Sequence, residues 1–348
     1  MKKALNIATR RSPLALWQAN TVKAILENHG YEVNLNLIVT TGDKMQKGAL
    51  AQHQISESEN VPAHLTTGKG LFVKEIQEEM LANKADIAVH SMKDLPVTTT
   101  DGLSVCGILP RAPANDVLIL SPHVFSQCGL DISKIKSNSF FKTGAIGTTS
   151  ARRQHFMREH FDQKLNLQIL RGNVDSRLKR VKENEFSAII LAEAGLRRLG
   201  LFDPSYMISL DTNLFIPAPA QGVVAMECRT DSIELKSLLS QISHKESLIS
   251  AALERTVLQL LGGDCHMAIA SHHHESTIKI MCSNHNSCRT LDFKIAENEN
   301  QEIHKYTSKY PDFSYESFYH FIWNSSLTQR LRLSLKEAKF NDVTNEPL

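Results

Sequence analysis

Lys93 and Asp94 close the stretch Ala85–Pro96, A-D-I-A-V-H-S-M-K-D-L-P, where an apolar run that reads as a buried strand stops at an ammonium and a carboxylate. In open α/β sheets ligands gather outside the carboxyl ends of strands, so this pair is placed for chemistry: a carboxylate to accept a proton or hydrogen bond, a cation to hold an anion. Taken alone, such a pair is more often a solvated turn. His90, four residues before Asp94 and in a strand context, reads as a packed, hydrogen-bonded histidine.

Arginines recur in the same setting. Thr148-Thr149-Ser150-Ala151-Arg152-Arg153 follows a strand expected at Gly144–Gly147. Leu167–Leu170 runs into Arg171-Gly172-Asn173 and a helix holding Arg177 and Arg180, and Ala188–Leu191 runs into a helix holding Arg197 and Arg198. Successive βα units that deliver Arg past a strand end suit a ligand with several carboxylates or phosphates, since the planar guanidinium pairs with either in bidentate fashion. Arg152, Arg153, Arg171 and Arg177 are the first candidates. Near the start, Arg10-Arg11-Ser12 precedes Pro13, so guanidiniums, a hydroxyl and a helix N-terminus converge; an anion site and a capped helix with solvated arginines are both open. Cys265, just past Gly262-Gly263, is either a buried small hydrophobe or an exposed nucleophile.

The elements that must position these groups alternate. Leu5–Ala8 and Val33–Val39 read as strands flanking a helix that opens at Ser12-Pro13. Lys44–Gly68, polar and aperiodic, reads as a long lid-like loop. Phe72, Val73, Ile76 and Met80 mark a helix face leading to the strand Ile87–His90. Two proline-rich stretches, Leu109–Asn115 and Phe215–Gly222, read as crossings between lobes, with strands Val117–Leu120 and Val223–Glu227 beyond them. One long amphipathic helix is expected after Asp231, with Leu248, Ala252, Val257 and Leu261 on one side. A hairpin is expected from Thr277–Met281 and Leu291–Ile295, and His272, His273 and His274 read as a polar turn rather than a metal site.

The expected fold class is therefore α/β: two periplasmic-binding-protein-like lobes joined by two hinge crossings, plus a small α+β C-terminal domain. The expected boundaries are 1–110 with 218–240 for domain 1, 111–217 for the arginine-rich domain 2, and 241–348 for domain 3. With a formal net charge of +2 the whole chain is not a general nucleic-acid binder, although the segment 142–200 is locally basic. The basic start has no apolar segment behind it and no run reaches membrane-spanning length, so a cytoplasmic protein is expected. The six cysteines, at 106, 128, 228, 265, 282 and 288, show neither a disulfide framework nor zinc spacing, and no metal is expected.

The motifs taken together resemble hydroxymethylbilane synthase, also called porphobilinogen deaminase, over nearly the whole length. They are A-T-R-R-S-P-L-A-L-W-Q-A (Ala8–Ala19), G-K-G-L-F-V-K-E (Gly68–Glu75), the Ala85–Pro96 stretch, G-T-T-S-A-R-R-Q (Gly147–Gln154), L-R-G-N-V-D-S-R-L (Leu170–Leu178), A-G-L-R-R-L-G, A-Q-G-V-V-A-M-E-C-R and L-G-G-D-C-H-M-A-I-A (Leu261–Ala270). The resemblance implies a transferase that condenses four porphobilinogen molecules head to tail, with loss of ammonia, into linear hydroxymethylbilane for tetrapyrrole and haem synthesis. It implies a dipyrromethane cofactor held by Cys265 through a thioether, with Asp94 as the catalytic carboxylate. Lys93, Ser12, Arg152, Arg153 and Lys69 would hold the cofactor, and Arg10, Arg171, Arg177, Arg198 and Gln221 the substrate. The expected partners are porphobilinogen and the growing oligopyrrole, with no nucleic acid or membrane, and a monomer is expected. The alternative is a non-catalytic two-lobed binding protein for a polyanionic small molecule. Ala151, Asp264 and Ala268 depart from the usual family residues, and Asp264 would raise the thiol pKa of Cys265 by like-charge repulsion.

Overall fold

The computed structural model describes residues 4–41, 43, 73–263, 268–284 and 287–344. Along the chain the strands are β1 (Ala4–Arg10), β2 (Glu32–Ile38), β3 (Ile87–Ser91), β4 (Leu103–Ile108), β5 (Asp116–Leu120), β6 (Ile146–Gly147), β7 (Leu167–Gln168), β8 (Ala188–Ala192), β9 (Met207–Ser209), β10 (Val224–Arg229), β11 (Ala268–His274), β12 (Thr277–Ser283) and β13 (Cys288–Lys294). They form two five-stranded sheets, ordered β2-β1-β3-β10-β4 and β7-β6-β8-β5-β9, and a three-stranded sheet β11-β12-β13. Both larger sheets follow one plan. The first strand of the βα series sits between the second and third, and the strand that enters after a crossing (β10 or β5) pairs antiparallel beside the third. The expected fold class, mixed α/β with a small C-terminal sheet, is what the chain adopts.

Two compact units divide the chain: Met1–Arg111 with Val223–Thr256 and Ala296–Thr328, and Ala112–Gly222 with Val257–Ile295 and Gln329–Leu348. Residues 241–348 therefore contribute to both.

In the first unit, Ser12 caps the helix Pro13–Asn28, its hydroxyl accepting from Ala15 N at 3.4 Å, with Pro13 in the first turn where a missing N–H is tolerated. That helix buries Ala19, Val22 and Leu26 against the apolar side chains of β1 and β3, so the chain returns as β2 parallel to β1. β1 and β3 are also parallel, with Ile7 opposite Ile87 and Ala8 opposite Ala88, so the residues after both strands emerge on one edge of the sheet.

In place of the single helix expected after Asp231 there are two, Ile233–Gln241 and Lys245–Leu260. No Pro or Gly marks the interruption. Its cause is tertiary: Ser243 Oγ accepts from Ile108 N at 3.0 Å, His244 N donates to Ile108 O at 2.8 Å, and Ser247 Oγ accepts from Arg111 N at 2.8 Å, which satisfies backbone at the end of β4.

In the second unit, Ala268, Ala270 and Met281 of the small sheet join the core formed by Phe156, Met157, Phe215 and Ile216. The expected hairpin is present as β12 and β13, but the three histidines are not a turn. They end β11, paired with Lys279, Ile278 and Thr277, because the buried run Ala268–Ser271 carries the strand on to the left-handed residue Glu275, φ +53°. Among the described residues no group of His, Cys, Asp and Glu is arranged to hold a metal ion, and no helix is long and apolar enough to cross a membrane.

Candidate active site

Apolar anchors present Lys93 and Asp94. β3 is buried along Ile87–His90, and the 3-10 turn Met92–Asp94 follows directly. Met92 and Leu95 are buried on either side of the pair, Met92 N donates to Val223 O at 3.0 Å, and Lys93 and Asp94 remain half-buried. A run of backbone held at both ends thus leaves two charged side chains at the carboxyl edge of the sheet. Ser91, one step earlier, accepts from Gln18 Nε2 at 2.9 Å, which ties the strand end to the first helix.

His90 is a packed histidine, as expected. It is buried, its Nε2 lies 3.2 Å from Glu227 Oε2, and Glu227 also accepts from Gln77 Nε2 at 3.0 and 3.2 Å. Thr100 Oγ1 donates to Gln77 Oε1 at 2.9 Å, completing a satisfied polar network beside the strand end.

On the same edge, at the end of β1, Arg10 is engaged by Asp43, Nη2 to Oδ1 at 2.6 Å, and Thr40 Oγ1 donates to Asp43 at 2.8 Å. Burial pushes the Asp43 carboxyl up, but the hydrogen bond and charge of Arg10, with Thr40, outweigh it and hold the pKa below the usual value. Ser12 serves as the N-cap described above.

The second unit gathers a different set. Arg152 and Arg153 open the helix Ala151–His160, whose cap Ser150 accepts from Arg153 N at 3.4 Å. Both guanidiniums are buried on one carboxylate that sequence reasoning missed, Asp116 at the head of β5. Arg152 Nη2 lies 2.6 Å from Asp116 Oδ2, and Arg153 reaches Oδ1 from Nη2 at 2.7 Å and from Nε at 3.0 Å. Arg152 also donates to Ile216 O at 2.7 Å and Arg153 to Ile190 O at 3.0 Å. Gln221 Nε2 donates to Asp116 Oδ1 at 3.0 Å and Ala114 O at 2.6 Å. The only available signal was an acid heading an otherwise apolar strand, D-V-L-I-L.

Sequence reasoning presented these arginines as a rim of ligand contacts, and in the structure several have protein partners. Arg198 Nη2 donates to Gly222 O at 2.7 Å, and burial lowers its pKa to about 10. Gly222 has φ +86°, and a Cβ there would stand 2.3 Å from Ala112 O, so the close approach of the two crossings requires glycine. Arg177 Nε donates to Gly172 O at 2.7 Å. Arg171 is exposed with no ion-pair partner among the described residues, and Arg180 pairs with Glu185 at 2.7 Å on the surface.

Cys265, Lys69 and the loop Lys44–Gly68 lie outside the described residues. Described chain leads up to Cys265: after the helix Lys245–Leu260, Gly262 and Gly263 both take left-handed φ values of +79° and +60°.

Residues 5–237 match the family described as porphobilinogen deaminase, dipyromethane cofactor binding domain. A porphobilinogen deaminase from a Nitratiruptor species is 38% identical over 266 residues, 76% of this chain and 77% of that one. The probable porphobilinogen deaminase of Methanocaldococcus jannaschii is 39% identical over 263 residues, 75% and 80% of the two chains. The chain belongs to the porphobilinogen deaminase family. It is accordingly an enzyme, a transferase of tetrapyrrole synthesis, and a non-catalytic binding protein is not favoured. Among solved structures the chain is similar to the periplasmic aliphatic sulphonate binding protein SsuA of Escherichia coli, with TM-score 0.37 and 8% identity, covering 74% of this chain and 70% of that one. That superposition adds nothing to the strand order.

The residues of the second unit suit a dipyrromethane cofactor in chemical type. Two guanidiniums share the single carboxylate of Asp116, which leaves one positive charge over, and Arg152 Nε is buried with no hydrogen-bond partner among the described residues. A carboxylate-bearing dipyrrole would supply the kind of anion such a cluster lacks.

Proposed function

We propose that this chain builds linear hydroxymethylbilane from four porphobilinogens, releasing four ammonias and taking up one water, with Asp94 as the catalytic carboxylate and Cys265 as the attachment point of the cofactor. The observation that carries the assignment is the shared carboxyl edge of β1 and β3, which puts Arg10 at the end of one strand with Ser12 just beyond it, and Lys93 and Asp94 after its parallel neighbour. The cofactor, when bound, supplies the pyrrole end on which the chain is extended.

Each protein group then has a task. The Asp94 carboxylate accepts the pyrrole N–H of the reacting unit, stabilises the positive charge that develops as ammonia leaves, and assists removal of the proton displaced by coupling. Lys93 and Ser12 hold cofactor carboxylates. Arg152 and Arg153 are assigned to the cofactor as well, through the one charge that Asp116 leaves uncompensated. Lys69 completes the cofactor set, while Arg10, Arg171, Arg177, Arg198 and Gln221 take the acetate and propionate groups of incoming substrate. We assign domain boundaries at 1–110 with 218–240, 111–217 and 241–348, a cytoplasmic location, a monomeric state, and no nucleic-acid or membrane partner.

Intact-mass measurement on freshly purified protein tests the assignment. The expected mass exceeds that of the chain by two pyrrole units, the adduct reacts with Ehrlich reagent, and Cys265→Ala has neither adduct nor turnover. An unmodified chain that still consumes porphobilinogen would overturn it.

A further inference from the structure

Among the described residues, one buried cation has no carboxylate beside it. Arg255, on the helix Lys245–Leu260, is 4% exposed, and among the described residues no acid lies within ion-pair distance of it. Its neighbour Glu254 is committed elsewhere, to Arg111 at 2.7 and 3.1 Å. Burying a guanidinium without a counter-charge is unfavourable unless its N–H groups are well used, and here they are directed at backbone carbonyls. Nη1 donates to Met92 O at 3.3 Å and Leu95 O at 3.2 Å; Nη2 donates to Pro96 O and lies 3.5 Å from Val97 O.

Those carbonyls belong to residues on both sides of Lys93 and Asp94. Met92 O begins the 3-10 turn and also accepts from Leu95 N at 3.2 Å, whereas Leu95, Pro96 and Val97 follow the turn. The turn itself is only three residues long, too short to be rigid on its own hydrogen bonds. A planar fork that grips the carbonyls before and after it fixes the path of the backbone between, and with it the direction of the Asp94 side chain. Lysine could supply the charge but not the two-pronged geometry.

We propose that Arg255 is a positioning residue for the reaction, holding the Met92–Val97 backbone so that Asp94 presents its carboxylate at a fixed place. The proposal rests on the assignment of Asp94 as the catalytic carboxylate. The helix that secures the turn of Asp94 ends at Leu260, five residues before Cys265 in the sequence.

The test is a double-mutant cycle on the cofactor-loaded enzyme with Arg255→Lys and Asp94→Glu, with adduct mass and thermal unfolding measured for every variant. A displaced catalytic group loses rate steeply, so Arg255→Lys is expected to lower kcat about tenfold or more, with KM for porphobilinogen changed less than about twofold. In the Asp94→Glu background, where the carboxylate is already misplaced, the same change is expected to have less than about a third of that effect on kcat. Equal fold-losses in both backgrounds, or an Arg255→Lys enzyme with parental kcat, would overturn the proposal. If Asp94→Glu and Asp94→Asn both turn over at the parental rate, the assignment of Asp94 fails instead. Arg255→Gln, without charge, is expected to lose at least as much kcat as Arg255→Lys; a parental rate there also counts against the proposal.

Discussion

Asp94→Asn is expected to lower kcat by about 10²–10⁴-fold while leaving the fold and the Cys265 adduct intact. The substitution is nearly isosteric, and the side chain it alters is half-buried on a turn whose anchors, Met92 and Leu95, lie in the core and are unchanged. Folding therefore has little to lose. Chemistry has more to lose, because an amide carries no negative charge to offset the cation that develops on the pyrrole as ammonia departs, and it cannot accept the proton released after coupling. Single-turnover ammonia release, compared with intact mass on the same sample, separates the two. Unchanged release would remove Asp94 from the mechanism. Loss of the adduct together with activity would move its role to cofactor assembly.

What could be read from the sequence is local. The strand that ends at Lys93-Asp94, the Ser12-Pro13 helix start and the β12–β13 hairpin each follow from residues within a few positions of one another, and each is present. What could not be read depends on partners far away in the chain. Arg152 and Arg153 look like an exposed anion site until Asp116, 36 residues before Arg152, is known to lie between them. The break between the helices at 242–244 has no sequence marker, because its cause is backbone to be satisfied at Ile108 and Arg111, 135 residues before Ser243 in the first case. Arg255 shows the same limit. Its helix is periodic and legible, but a guanidinium directed at carbonyls has no acidic partner in the sequence to give it away.

Asp116→Asn is expected to be the most damaging single change to stability, lowering the free energy of unfolding by about 3–5 kcal/mol in urea denaturation. The value follows from what is left behind: two buried guanidiniums facing an amide that neutralises neither, in a site already holding one surplus positive charge and an unpartnered Arg152 Nε. The dependence on pH has a definite sign. Burial acts to raise the Asp116 pKa, but the charges of Arg152 and Arg153 and the hydrogen bonds from Arg153 and Gln221 outweigh it and hold the carboxyl well below the ordinary range. A group with a depressed folded pKa contributes stability that is complete above its unfolded pKa of about 3.9 and is lost as pH falls through the lower folded value. The difference between the parent and Asp116→Asn should therefore be flat from about pH 5 to 8 and narrow only below about pH 4. A difference under about 1 kcal/mol at neutral pH would mean that the two arginines find water or another anion when Asp116 is replaced by a neutral side chain. Their burial would then be a consequence of the carboxylate rather than a fixed feature of the fold. A full difference would mean that the pair is held in place by the surrounding fold and has no other anion or water to turn to.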